Sequence, residues 1–550
     1  MSYLLFPGRH LLNTAFQARY LRGVLQMPPG ELQFWGHAAA SPTTPLSQII
    51  FAVTSANQQH SRYNPIPFHV RAIGLDRFAR DLEMSLGIQY RIFGIPHYDP
   101  TPRFARHLLQ EIEEQSEGAI ELTPENCVVL CSTPAVMQMY QQMGFALLPA
   151  EWSEVGNLAE TPLDLLRIFV QAGETWTTNP VLREKLAPTT FDLWQDFPEV
   201  PHRILRLWRD PLLNDEGSLT EDRDYASYAY GMSNNAIINL KYQDIRGLIV
   251  PGKIVDEGCA DGALLALIAQ DFPDSDLIGI EITGEFMARC LERQRAGDFG
   301  GTFIHFHQRN ITQPIFEPGS IDTTLCNSTT HELWSYGQQA ETLQAYLALK
   351  FAQTARGGHL VIRDVVGPEA GEQEVWLWLN QEDGSNEEIW AEFDQPKALQ
   401  AHLDKLSTYA RFKWFARDFL AEERAEGRRG AETAIVYREE AVEGKGYVVL
   451  KLYAAAEYLS KKDYTDNWYS EMHEEFAFWG FSQWKAALQQ AGFQVLENPN
   501  EPMQGSRVYT NPWIVENRYL GKAELFQRVG ERLHPLPYPV TNIVLVGKKQ

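Results

Sequence analysis

The sequence has 550 residues, too many for one hydrophobic core, so two or more domains are expected. A formal charge of −23 opposes a broad phosphate-tracking surface and sets aside long DNA or RNA as a partner. No stretch approaches the ~18 apolar residues of a membrane span, the start MSYLLFPGRHLLNTAFQ lacks the order of a secretory signal, and five cysteines without a Cys-x-x-Cys pair predict reduced thiols, no metal site and a cytoplasmic location.

The first 195 residues alternate strand and helix. YLLFPGRHLLNTAFQARYL gives a strand, a Gly-Arg-His turn and a helix; SQIIFAVTSANQQHSRYNPIPFHVRAIGLDRF gives a strand, a polar loop and a second helix. YRIFGIP (90–96) and NCVVLCST (126–133) read as further buried strands, the second leading into PAVMQMYQQMGFAL. A Rossmann-like α/β domain over 1–195 follows.

These motifs, in this order, resemble those of nicotinamide-mononucleotide adenylyltransferases and related nucleotidyltransferases. Family members carry a G-R-F-x-P-x-H-x-G-H loop after the first strand, then S-A-x-x-S-H-x-x-x-N-P-F, S-x-x-P-L-V and a T-x-x-R helix start. FPGRHLLNTAF, SANQQHSRYNPIPF, CSTPAVMQMYQQMGF and ETPLDLLRIFVQAGETW follow that pattern. The resemblance implies a nucleotide ligand with Arg9, His10 and Arg167 near its phosphates. Where the family has its second histidine this chain has Asn13 or Thr14, and adenylyl transfer needs charge stabilisation on the phosphate in flight. Three readings stay open: a degenerate domain that binds a nucleotide or scaffolds the protein, an altered but active nucleotidyltransferase, and similarity of fold alone.

Prolines and a late acidic run within 176–224 mark a linker at 196–222. In the second domain, 223–550, KIVDE (253–257) reads as a strand, GCADG as a turn and ALLALIAQDF as a helix. Gly258 and Gly262 would let backbone approach a ligand closely while free N–H groups of the helix start face it. Strands follow at DLIGIEIT (276–283), ending in Glu281, at TFIHFHQRNIT (302–312), leading to Asn310, at SIDTTLCNSTTHELW (320–334) and, after a helix over 339–355, at HLVIRDVV (359–366). Five strands with intervening helices make a doubly wound parallel sheet.

This run resembles the class I S-adenosylmethionine-dependent methyltransferases over roughly 230–366. VDEGCADG matches their D-x-G-x-G-x-G motif with Ala260 in place of the middle glycine, Glu281 matches the acid after the second strand, and Asn310 stands where an Asp often touches the adenine. The resemblance implies S-adenosyl-L-methionine as cofactor, with Asp256 on its methionine ammonium, Gly258, Ala260 and Gly262 at the backbone approach, Glu281 on the ribose, and Asn310 and Asn327 completing the site. A dehydrogenase loop would want G-x-G-x-x-G, and this loop is G-x-x-x-G. DYASYAYGMSNNAII (224–238) reads either as the helix that closes over the methionine end or as an ordinary packing helix.

Methyl transfer needs alignment with the donor and often a base. His331 is the expected general base at the tip of the fourth strand, with Glu332 orienting it or binding substrate; the alternative is that both cap the next helix. Residues 367–445 read as a helical lid inserted into the domain, and KGYVVLKLY (445–453) as a strand. FSQWKAALQQAGF and VTNIVLVGKK read as the helix before the sixth strand and the final antiparallel strand. His473 and Glu474, in DYTDNWYSEMHEEFAFWGF, could face substrate, although a structural role is the simpler reading.

The expectation is therefore an α/β protein of two Rossmann-like domains, the second a methyltransferase fold acting on a hydroxyl or amine of a small, nucleotide-containing metabolite. Two alternatives are a bifunctional nucleotidyltransferase and methyltransferase, and a non-catalytic sensor of both ligands.

Overall fold

The computed structural model describes residues 2–36, 42–149, 161–210, 213–215, 217, 235–387, 393, 395–498 and 500–550. The chain divides into two compact units, Met1–Gly217 and Ser218–Gln550.

The first unit is built on β1 (Ser2–Gly8), β2 (Leu46–Val53), β3 (Gln89–Gly94), β4 (Cys127–Leu130) and β5 (Ala146–Leu148), all parallel in the order β3-β2-β1-β4-β5. Alternation along each strand divides its apolar residues between two layers. Leu4 and Phe6 pack with Leu21 and Val24 of helix Ala15–Gln26 and with Leu75 and Phe78 of helix Phe68–Leu86. Tyr3 and Leu5 pack with Leu108 and Ile112 of helix Phe104–Gln115 and with Met137 and Tyr140 of helix Pro134–Gln142. Thr14 caps the first of these helices in a capping box with Gln17. Part of the expected linker is instead helix Glu199–Arg209, which buries Val200, Ile204 and Leu205 against Leu166 and Phe169. Its strongly one-sided apolar stripe wins over the flanking prolines that suggested a flexible join.

The second unit holds β6 (Lys253–Glu257), β7 (Asp276–Glu281), β8 (Ile304–Gln308), β9 (Ile321–Asn327), β10 (Thr354–Asp364), β11 (Glu374–Leu379), β12 (Tyr437–Val442), β13 (Lys445–Lys451), β14 (Gln494–Val495), β15 (Arg507–Tyr509), β16 (Ala523–Val529), β17 (Arg532–Leu536) and β18 (Asn542–Lys548). The main sheet runs β14-β18-β10-β9-β6-β7-β8, with β15 also on β18. Strands β6 to β10 are parallel and β18 is antiparallel to β10, as the sequence predicts. Sequence order reverses between β6 and β9, where an open α/β sheet forms its ligand crevice. Beneath it, Glu257 is buried with the Lys350 ammonium and accepts from the Tyr346 hydroxyl at 2.6 Å.

The expected helical lid at 367–445 is corrected by the structure. It does contain helices Pro396–Leu403, Thr408–Asp418 and Ala421–Ala425, but it also supplies β11 and β12 to a second, antiparallel sheet, β12-β13-β11-β16-β17. Val375, Leu377, Val448, Leu450 and Leu525 turn one face of that sheet onto Phe412, Phe415 and Tyr458. Residues 224–234 of the expected aromatic entry helix lie outside the described residues, whereas Asn235–Ile245 is helical.

Candidate functional site

Strand β6 ends at the reversal point and passes into the glycine loop. Gly258 has φ +72°, and a Cβ there would stand 2.5 Å from Thr329 Oγ1, so both conformation and space demand glycine. Gly262, at φ +78°, sits in the left-handed region immediately before helix Ala263–Asp271. Ala260, also left-handed at φ +47°, donates its N–H to Glu281 Oε2 at 3.0 Å. The other oxygen of Glu281 accepts from the N–H groups of Ile282 (2.8 Å) and Thr283 (2.9 Å). The carboxylate is thus turned back on the loop, and burial pushes it up to about 7 against those N–H groups.

Asp256 is 2% exposed and its Oδ1 reaches no hydrogen-bond partner among the described residues. Burial raises its carboxyl to about 7, while Lys241 pulls the other way. At the end of β9, Asn327 keeps both Oδ1 and Nδ2 buried and without partners. Buried polar atoms are nearly always satisfied in folded proteins, so three orphaned atoms around one glycine loop point to a polar ligand. Asn310, also buried, accepts from the Thr312 N–H and hydroxyl, each at 2.9 Å. Asp256, Glu281 and Asn327 thus meet the glycine loop at one crevice.

Lys241 is a site residue that sequence reasoning missed. Its helix is anchored by Asp244, which bonds Arg363 at 2.8 Å and Arg507 at 3.0 Å. Burial and neighbouring Arg363 bring the Lys241 ammonium down to about 8, while Asp364, Asp256 and Glu332 act in the opposite direction. A lone lysine on a helix carries no sequence signal; only the three acids folded around it single it out.

The loop after β9 is fixed from below. Ser328, at φ +52°, donates its N–H to the Arg363 carbonyl at 2.7 Å. Asp364, at the end of β10, accepts from the N–H groups of Thr329 (3.1 Å), Thr330 (2.7 Å) and His331 (3.2 Å) and from the Thr330 hydroxyl (2.6 Å), so it caps helix Thr330–Tyr336 from a distant strand. His331 Nδ1 lies 2.7 Å from the second Asp364 oxygen, and its Nε2 lies 3.4 Å from Glu474 Oε2. Burial alone would lower the imidazole, but Asp364 and then Glu474 hold it well above its ordinary value. Against its own burial, Asp364 is held at about 2, chiefly by His331.

With a carboxylate near each ring nitrogen, His331 is placed to donate on both sides, an arrangement that disfavours the expected role of general base. Glu332, next in the chain and half-buried, lies near enough for its charge to act on both Glu281 and Lys241. His473 bonds Glu423 at 2.7 Å, whereas Glu474 reaches His331.

In the first unit the three expected phosphate residues are engaged differently. His10 is buried, with Nε2 3.0 Å from the Phe6 carbonyl, and burial lowers it to about 4. It is a neutral core histidine folded back on β1. Arg167 is exposed and lies 3.6 Å from Asp164 on its own helix. Arg9 remains at the strand end, donating to the Tyr63 carbonyl at 3.1 Å. Arg71, unforeseen, is buried and donates to the carbonyls of Arg9 and Thr54, each at 2.9 Å, and of Ser55 at 2.8 Å. It ties the ends of β1 and β2 together.

Residues 251–414 match a family described as a methyltransferase domain. Among curated proteins, none matches the chain. Similar solved structures include S-adenosylmethionine-dependent methyltransferases from Mesorhizobium loti (12% identity, 56% of this chain and 97% of that one, TM-score 0.30) and Clostridium acetobutylicum (10%, 60% and 99%, 0.28). A third, from Aquifex aeolicus, shares 14% identity over 41% of this chain and 96% of its own, with a TM-score of 0.22. The 251–414 segment is a methyltransferase domain, which implies S-adenosylmethionine-dependent methyl transfer with S-adenosylmethionine as cofactor. Among the described residues no helix is long and apolar enough to cross a membrane.

Proposed function

We propose that the crevice between β6 and β9 is the cofactor site and that the acceptor is a hydroxyl or amine of a small molecule. The observation that carries this reading is the set of orphaned atoms, Asp256 Oδ1 and Asn327 Oδ1 and Nδ2, around a loop where Gly258 admits no side chain. Their chemistry suits an amino acid joined to a nucleoside. Asp256 receives the ammonium, and Lys241 the carboxylate. Glu281, already poised as an acceptor, takes the ribose hydroxyls in charge-assisted bonds. Asn310 borders the adenine. Bound there, the cofactor supplies an electrophilic methyl group.

Catalysis by this chain is then largely orientation and exclusion of water. Loop 328–336 presents Glu332 towards the cradle, and its carboxylate orients the acceptor and takes its proton. In the first unit, we read the strand ends near Arg9 as a nucleotide-binding surface without adenylyl transfer, because His10 faces the core. Calorimetric titration of the intact protein with S-adenosylmethionine, S-adenosylhomocysteine and ATP tests both readings. Failure of the first two to bind would sink the cofactor site, and pyrophosphate release from ATP would overturn the non-catalytic first unit.

A further inference from the structure

Helix Leu452–Lys461 and the segment that follows it reach His331 through a chain of buried charges. Glu457 and Lys461, one turn apart on helix Leu452–Lys461, form an ion pair at 2.9 Å with almost no exposure. Glu457 also accepts from the main-chain N–H groups of Phe476 (2.7 Å) and Ala477 (2.6 Å), and Lys461 donates to the carbonyl of Glu474. These bonds fix segment 474–477 so that Glu474, 1% exposed, points at the core sheet. One of its oxygens meets His331, and the other accepts from the Tyr336 hydroxyl at 3.0 Å. Phe476 sets its ring edge-on to the imidazole, centroids 5.0 Å apart. Glu475 grips the same loop, receiving Arg429 at 3.0 Å and donating its N–H to Ser335 Oγ at 2.8 Å.

A buried charge pair is expensive unless every partner is in place, so this arrangement is weak evidence for stability and stronger evidence for a role in holding one conformation. The groups around the ring are Asp364 from β10, Glu474 from the segment after helix Leu452–Lys461, Tyr336 and Lys461 against Glu474, and Lys241 near Asp364. We propose that Glu474 is a positioning residue by which the segment after helix Leu452–Lys461 holds His331 as an imidazolium, and so fixes loop 328–336 with Glu332 against the cofactor cradle. Segment 474–477 thereby decides whether the acceptor side is formed, without touching the methyl donor. The inference rests on assigning that loop to the acceptor side.

Histidine-selective nitrogen-15 labelling of the full-length protein reads the ring directly, with His331 identified by the signal lost in His331→Asn. The expected spectrum shows both His331 nitrogens protonated at neutral pH. In Glu474→Gln the titration midpoint falls by about one unit or more, Glu474→Asp recovers part of it, and Glu475→Gln, which alters the contacts with Arg429 and Gln339, leaves it in place. A neutral His331 tautomer at pH 7 in the native protein, or the same midpoint in native protein and Glu474→Gln, would overturn the proposal. Should Glu474→Gln fail to fold, the native spectrum and Glu474→Asp still decide. Titration with S-adenosylmethionine runs alongside: no binding by native protein is a failure of the cofactor site, whereas native-like affinity in Glu474→Gln with an altered His331 is the result expected here.

Discussion

Replacing Glu281 by Gln separates binding from stability. The carboxyl rises from 4.5 to about 7 on burial, which at 1.36 kcal/mol per unit places roughly 3 kcal/mol of penalty on the ionised form. Because the folded value lies above the unfolded one, the folded state holds the proton more tightly between those two values. The free protein therefore loses stability as pH rises through that window. Glutamine removes the titration but sets an amide where Ala260 donates its N–H, at a cost of about 1 kcal/mol. Above pH 7 the variant should be more stable than native protein by about 1–2 kcal/mol, with no gain at pH 4. Its affinity for S-adenosylmethionine should fall ~10- to 100-fold, the loss of charge-assisted bonds to two hydroxyls. Urea unfolding of the free protein at both pH values and calorimetry at pH 8 measure the two effects. An unchanged affinity in a folded variant refutes the ribose assignment, and a parallel loss of stability and affinity would make Glu281 merely structural.

Gly258→Ala should cut S-adenosylmethionine affinity more than about tenfold while leaving the circular dichroism spectrum intact, since the new Cβ meets Thr329 Oγ1 in a left-handed backbone. Affinity should also decline as pH falls below about 7, because Asp256 and Glu281 must ionise to receive the ligand; proton release measured by calorimetry in two buffers checks this. Lys350→Met leaves the Glu257 carboxylate buried without its cation, and urea unfolding should show a loss of about 3–5 kcal/mol. In the first unit, His10 is held below its ordinary value, so its stabilising contribution is complete above pH 6.5 and is lost as pH falls from there through about 4. His10→Phe should flatten that acid limb while leaving any ATP binding unchanged.

Local pattern carried much of the fold. Leu4 and Phe6 alternating with Tyr3 and Leu5 specify a strand buried on both faces, and Thr14 with Gln17 specifies a helix start whatever surrounds them. The glycine loop was legible for the same reason, since positive φ at Gly258 and Gly262 is a property of single residues in a strand-turn-helix run. Misreadings arose where long-range contacts decide. The segment taken for a helical lid pairs β11 with β13 and β16, strands remote in sequence, and burial against a distant aromatic core outweighs local helix propensity. Arg9 and His10 are adjacent, yet one stays at the strand end and the other turns inward to Phe6, a choice made by packing.

What the sequence alone determined is the strand-turn-helix scaffold and its glycine loop, because both depend on short-range periodicity and backbone freedom. Tertiary structure alone decided the partners of His331 and the place of Lys241. Charge on a side chain is set by whichever groups share its low-dielectric surroundings, and here those are Asp364 and Glu474 for one, and Asp256, Asp364 and Glu332 for the other.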